Sequence, residues 1–141
     1  MATKMERPNM DSEIIIRFKG GKKVTAEYKN FEIATDQPVN YGGEETAPEP
    51  FALFLASLGT CAGIYVLALC QSRNIPTDKI QLVQKMENTE KGKLTKIGID
   101  IIVPPTFPEK YHKALERAAS SCPVKKTILD PPQFEITTIV K

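Results

Sequence analysis

Phe51 to Cys70 reads FALFLASLGTCAGIYVLALC, and no charged residue stands between Glu49 and Arg73. Pro50 suits a first helical turn, and Glu49 complements the positive end of a helix dipole. Arg73 and Asn74 suit the opposite end. The stretch therefore predicts one helix of about 22 residues, roughly 33 Å long. It is apolar on every side, so it is expected to be buried on every side. Twenty uncharged residues can also span a bilayer, and Gly59 with Gly63 forms the GxxxG spacing of membrane helix pairs. The small and polar residues Ser57, Gly59, Thr60, Cys61 and Gly63 lower its hydropathy, and the chain has no Trp for an interfacial belt. The reading favoured is a central helix wrapped by sheet, with no membrane partner. One short chain has trouble covering such a helix, whereas two copies back to back cover it simply, so a symmetric homodimer is expected.

Upstream, three short strands form a meander. Glu13 to Lys19 is apolar and β-branched and stops at Gly20-Gly21, a hairpin signal. Lys22 to Tyr28 and Phe31 to Thr35 alternate, leaving one face free for burial. Asp36 to Pro50 holds three prolines and two glycines and reads as loop; its length suggests a functional or dimer-clasping role. Downstream, Lys79 to Met86 and Lys93 to Val103 read as strands joined at Glu90-Lys91-Gly92. A second helix is expected from Pro108 to Ser121, with Tyr111, Ala114, Leu115, Ala118 and Cys122 on its inward stripe. Pro123 breaks it and restarts a short helix through Thr127. Phe134 to Val140 is read as a final strand.

Composition sets the outer limits. The chain has 141 residues, 41% of them hydrophobic and 26% charged, which fits one globular core. The reading is an N-terminal arm over residues 1–11 and a single domain over 12–141. Nineteen basic and 17 acidic side chains give a net charge of +2, too small for the footprint of a nucleic-acid binder. The N-terminus carries no apolar run after its charges, and three cysteines is an odd count. A cytoplasmic, reducing setting is expected.

The cysteines are the chemical candidates. Cys61 and Cys70 lie on opposite faces of one helix, about 13 Å apart along its axis, too far for a disulfide. Cys122 belongs to the inward stripe of the second helix and stands near the N-cap of the short one, where a dipole lowers a thiol's pKa. Cys61 sits among Thr60, Ala62 and Gly63, which leave room over its sulfur. Buried free cysteines are commonly inert packing; for Cys70 that reading is preferred, and for the other two spacing alone decides nothing. His112 falls off the apolar stripe and reads as a surface residue. One His and dispersed Cys argue against a zinc site, and no phosphate-binding glycine motif is present.

The run PFALFLASLGTCAGIYVLALC, preceded by TDQPVNYGGEETAPE and followed by ERAASSCPVKKTI, resembles the OsmC/Ohr family from about Ser12 to Val140. The resemblance implies an α+β OsmC-like fold, an intertwined homodimer with long central helices enclosed by antiparallel sheets and with sites at the dimer interface. It implies a thiol peroxidase for organic hydroperoxides, with Cys61 as peroxidatic nucleophile and Cys122 as resolving cysteine. An external dithiol would act as reductant, with no bound cofactor or metal. The family's Glu, two residues after the helix-opening proline, is replaced here by Ala52. Glu49 and Arg17 are the candidates for orienting the thiolate. The alternative is an OsmC-like small-molecule binding protein with weak or no peroxidase activity.

Overall fold

The computed structural model describes residues 13–141, so the expected arm over 1–11 lies outside the described residues. The order of elements is β1 (Ile15–Phe18), β2 (Val24–Tyr28), β3 (Phe31–Thr35), α1 (Pro50–Ser72), β4 (Gln81–Asn88), β5 (Leu94–Ile102), α2 (His112–Ser120) and α3 (Pro123–Leu129). Single 3-10 turns at Val39–Tyr41 and Glu109–Tyr111 fall in the long loop and before α2. The class is α+β with antiparallel sheets, as the sequence predicts. The chain forms two compact units, the first ending at Ala56 and the second running Ser57–Lys141.

In the first unit β1, β2 and β3 make a meander in that spatial order. Gly20 and Gly21, at φ +97° and +56°, turn the first hairpin. Register sets Ile16 opposite Ala26 and Ala26 opposite Ile33, so one face is apolar apart from Thr35 at its end. The loop after β3 is organised by Asp36, which is 1% exposed. Its carboxylate accepts the N–H groups of Gln37, Glu44 and Thr46 at 2.8, 3.3 and 3.1 Å, and the Thr46 hydroxyl at 2.7 Å. These bonds to the charged form, the Thr46 hydroxyl first, hold its pKa down at about 2. Gly43 is required in this loop: a Cβ there would stand 1.9 Å from the Gln37 carbonyl oxygen.

In the second unit β4 and β5 pair antiparallel from Gln81–Ile102 to Asn88–Leu94, with a bulge at Glu87/Asn88. Helix α1 lies so close to β4 that a Cβ on Gly59 would reach 2.7 Å from Gln84 Oε1. The core gathers Val66 and Cys70 of α1, Leu115 of α2 and Phe107, with Leu82 and Ile101 of the strands packed on it. α1 ends in a Schellman motif: Asn74 takes φ 53°, Ile75 N–H reaches the Cys70 carbonyl at 2.9 Å and Asn74 N–H reaches Gln71 at 3.2 Å.

Two expectations are corrected. α1 has 23 residues, close to the predicted length, but only Leu58, Ala62, Val66 and Cys70 are buried. That single i, i+4 stripe is all that the material of one chain covers. On the opposite side Ala56, Thr60, Ile64 and Ala68 are exposed, and none carries a charge. α1 is long and apolar enough to cross a membrane by length and composition, as a core helix also is. The second correction concerns the tail. Residues 131–141 form no strand, because a strand exists only where a neighbour accepts its backbone hydrogen bonds, and the chain places none beside this segment. The other boundaries differ from expectation by a few residues, the second helix most, since its first turn is 3-10.

Candidate functional site

Cys61 and Cys122 come together, although 60 residues separate them in sequence. α1 presents Cys61, half-buried, one position before the inward-facing Ala62. Cys122 is 2% exposed and is the N-cap of α3, where Pro123 occupies the first helical position. This placement follows from local sequence. Pro123 cannot continue α2, so the chain turns at Cys122 and restarts a helix. The sulfur then does the work a Ser or Asp oxygen usually does, accepting the Lys125 N–H at 3.4 Å. The Cys122 thiol in turn points to the Leu58 carbonyl of α1 at 3.9 Å.

Cys122 stands near enough to Cys61 for its side chain to act on the Cys61 thiol. The Cys61 pKa is pushed up, first by burial and then by Cys122, while the Val124 N–H works in the opposite direction. At neutral pH Cys61 is therefore mainly the thiol, and Cys122 and the backbone of α3 are the groups that act on it. Cys70 is separate from this pair. It is fully buried in the core, where burial alone raises its pKa, in keeping with the packing role read from sequence.

Cys122 also lines a groove of about 400 Å³. Leu58 and Ala62 of α1, Ile97 and Ile99 of β5 and Ile128 of α3 give it apolar walls, and Lys125 stands at its border. The sequence reading named the two thiols but not these walls. The signal was the alternation of Ile97, Ile99 and Ile101 in β5, which marks the inward face without saying what it faces.

The two orienting candidates, Arg17 and Glu49, both belong to the first unit. Arg17 donates through Nε to Glu27 at 2.9 Å across the β1–β2 hairpin. The Glu49 carbonyl accepts the Leu53 N–H at 3.3 Å and so opens α1. His112 is exposed, as expected, and stacks on Phe107 at 5.8 Å between ring centroids. Among the described residues no cluster of three His, Cys, Asp or Glu side chains is placed to hold a metal ion.

Known proteins agree on the architecture. An OsmC like protein from Mycoplasma pneumoniae superposes with a TM-score of 0.68 at 16% identity, over 88% of this chain and 91% of that one. A protein from Psychrobacter arcticus gives a TM-score of 0.66 at 22% identity, over 87% and 90%. An organic hydroperoxide resistance protein from Elizabethkingia anophelis gives 0.59 at 20% identity, over 89% and 91%. At these identities the likeness establishes the fold. No curated protein matches the sequence. The model of the family described as OsmC-like protein matches residues 42–137, a span that holds both Cys61 and Cys122. With more than half of its length under that match and the same fold in the solved structures, the chain belongs to the OsmC-like protein family.

Proposed function

We propose that this protein is a thiol-dependent peroxidase that reduces organic hydroperoxides and works as a cytoplasmic homodimer. The observation that carries the reading is that the Cys61 and Cys122 side chains lie close enough for Cys122 to act on the Cys61 thiol. Two free thiols close to one another, with Cys122 lining an apolar groove, have the means to form, protect and resolve an oxidised sulfur. The Cys61 thiolate attacks the terminal peroxide oxygen. The O–O bond breaks, Cys61 becomes a sulfenic acid, and the leaving alkoxide takes a proton to become the alcohol. The Cys122 sulfur then attacks the Cys61 sulfur, water leaves, and a Cys61–Cys122 disulfide forms. A dithiol restores both thiols by exchange and leaves as its own disulfide. The apolar walls suit the organic part of the peroxide, and free thiols suit a reducing compartment.

Helix α1 supports the homodimer. Its uncharged outer stripe, Ala56-Thr60-Ile64-Ala68, is exposed in a single chain, and a second copy presents the same stripe to cover it. The raised pKa of Cys61 favours a second reading, a binding protein for apolar small molecules with little turnover.

The test is treatment with an alkyl hydroperoxide followed by peptide mapping. A Cys61–Cys122 disulfide and consumption of one peroxide per disulfide are expected. Cys61→Ser is expected to abolish consumption, and Cys122→Ser to leave a sulfenate at Cys61 that a dione reagent traps. Both thiols remaining reduced would reject the peroxidase. Thermal stabilisation of Cys61→Ser by an apolar ligand would then favour the binding protein.

A further inference from the structure

The sulfur of Cys122 holds a helix as well as facing Cys61. As the N-cap of α3 it accepts the Lys125 N–H at 3.4 Å, and its thiol donates to the Leu58 carbonyl of α1 at 3.9 Å. α3 depends on that cap more than a longer helix would. It has seven residues, Pro123–Leu129, and none of them is buried. A helix of this length is marginal without packing or caps. Pro131-Pro132 follows closely and stops it from lengthening. Yet Lys125, Ile128 and Leu129 of α3 form part of the groove wall beside Cys122. The chemical state of one sulfur therefore bears on the shape of the groove.

We propose that a Cys61–Cys122 disulfide uncaps α3, so that the groove wall is firm in the reduced protein and loosened in the oxidised one. Disulfide formation takes the proton from each sulfur, makes one S–S bond and passes two electrons to the peroxide. The Cys122 sulfur then has no proton to donate to Leu58. Its direction is set by the bond to Cys61, about one turn along α1 from Leu58, and no longer by the Lys125 N–H. That N–H loses its acceptor, as it does in a helix whose capping residue is replaced by Ala. Reduction returns the proton and restores the cap. The change suits each half of the cycle. With both thiols reduced, Ile128 and Leu129 wall the groove around the organic part of a peroxide. With the disulfide formed, the same wall gives way to the leaving alcohol and the entering dithiol. This inference rests on the disulfide of the preceding subsection and adds the response of α3.

Amide hydrogen exchange of the full chain, read by mass spectrometry, tests it. The disulfide is made with diamide, whose azo bond takes up the two protons and two electrons to become a hydrazine, so no peroxide turnover is needed. Exchange over residues 124–129 is expected to rise about fivefold on oxidation, the scale of a lost helix cap. Exchange over α2, His112–Ser120, is expected to stay as it was. Cys122→Ala is expected to show the faster α3 exchange already without oxidant. Cys122→Ser keeps a capping oxygen and forms no disulfide, so its α3 is expected to exchange slowly with and without diamide. Should Cys122→Ala fail to fold, the unaltered protein and Cys122→Ser decide. A Cys61–Cys122 disulfide found by peptide mapping, with α3 exchange unchanged or slowed, overturns the uncapping and leaves the peroxidase standing. Absence of that disulfide after diamide overturns both.

Discussion

Burial and Cys122 keep the proton on Cys61, and this sets how its chemistry responds to pH. A thiol whose pKa rises on folding stabilises the fold fully below its ordinary value, and that contribution is lost as pH rises through the raised one. Alkylation of Cys61 by iodoacetamide is thus expected to accelerate with a midpoint above that of an exposed thiol. Cys122→Ala removes one of the two raising causes and should bring the midpoint down; an unmoved midpoint would show that Cys122 does not act on it. Asp36 has the opposite sign. Its pKa of about 2 lies below the ordinary carboxylate value, so its contribution is complete above that value and fades as pH falls through about 2. Asp36→Asn is expected to lower Tm at pH 7, and the gap to the unaltered protein should close as pH approaches 2. Cys70→Ser places a hydroxyl in the core and is expected to cost roughly 1–3 kcal/mol of stability, read by denaturant unfolding, without altering peroxide consumption. Of these groups the sequence singles out Cys122, which falls on the inward stripe expected of the second helix, whereas Cys70 stands in a helix apolar on every side and only packing shows that it faces the core. The sequence does not display the meeting of Cys61 with Cys122, which depends on the path of the chain between them. Asp36 also escaped notice, because its role depends on where Gly43 lets the loop fold back onto Gln37.

Elements are legible where their cause is local. α1 was readable to within a residue or two because an uninterrupted lack of charge, a proline at the start and Asn74 at the end are all features of adjacent residues. The hairpin turn at Gly20-Gly21 and the alternation in β3 and β5 are of the same kind. The tail was not readable, because Phe134–Val140 has strand propensity, and pairing is a property of two segments. The burial of α1 was overestimated for a related reason: an all-apolar helix says that something covers it, and says nothing of which molecule does. The covered side itself makes a firm prediction. Leu115 of α2 is 2% exposed and packs with Val66, Cys70 and Phe107, so Leu115→Ala is expected to cost about 2–5 kcal/mol. Chemical denaturation measures it, and a loss under about 1 kcal/mol would mean that the site collapses around the gap. The same truncation at Leu129, which is exposed in α3, serves as the control with little loss.

The whole molecule has to place the outer side of α1 somewhere. Ile64 is exposed there, and no charge interrupts the helix, whereas a helix that faces water carries polar residues on that side. A bilayer and a second copy are the two coverings that fit an uncharged stripe, and they predict different behaviour. A membrane helix needs detergent to leave the pellet. A dimer stays in the high-speed supernatant without it and becomes less heat-stable on dilution, because association stabilises the fold by mass action. Ile64→Glu discriminates further, since Ile64 lies in the middle of the exposed stripe and touches none of the buried core. A carboxylate there leaves a single chain unharmed but would be buried unpaired between two copies, a desolvation penalty of several kcal/mol. The variant is expected to be soluble, folded and monomeric, and its Tm to be independent of concentration. A variant that remains dimeric would mean that this stripe is not where the two copies meet.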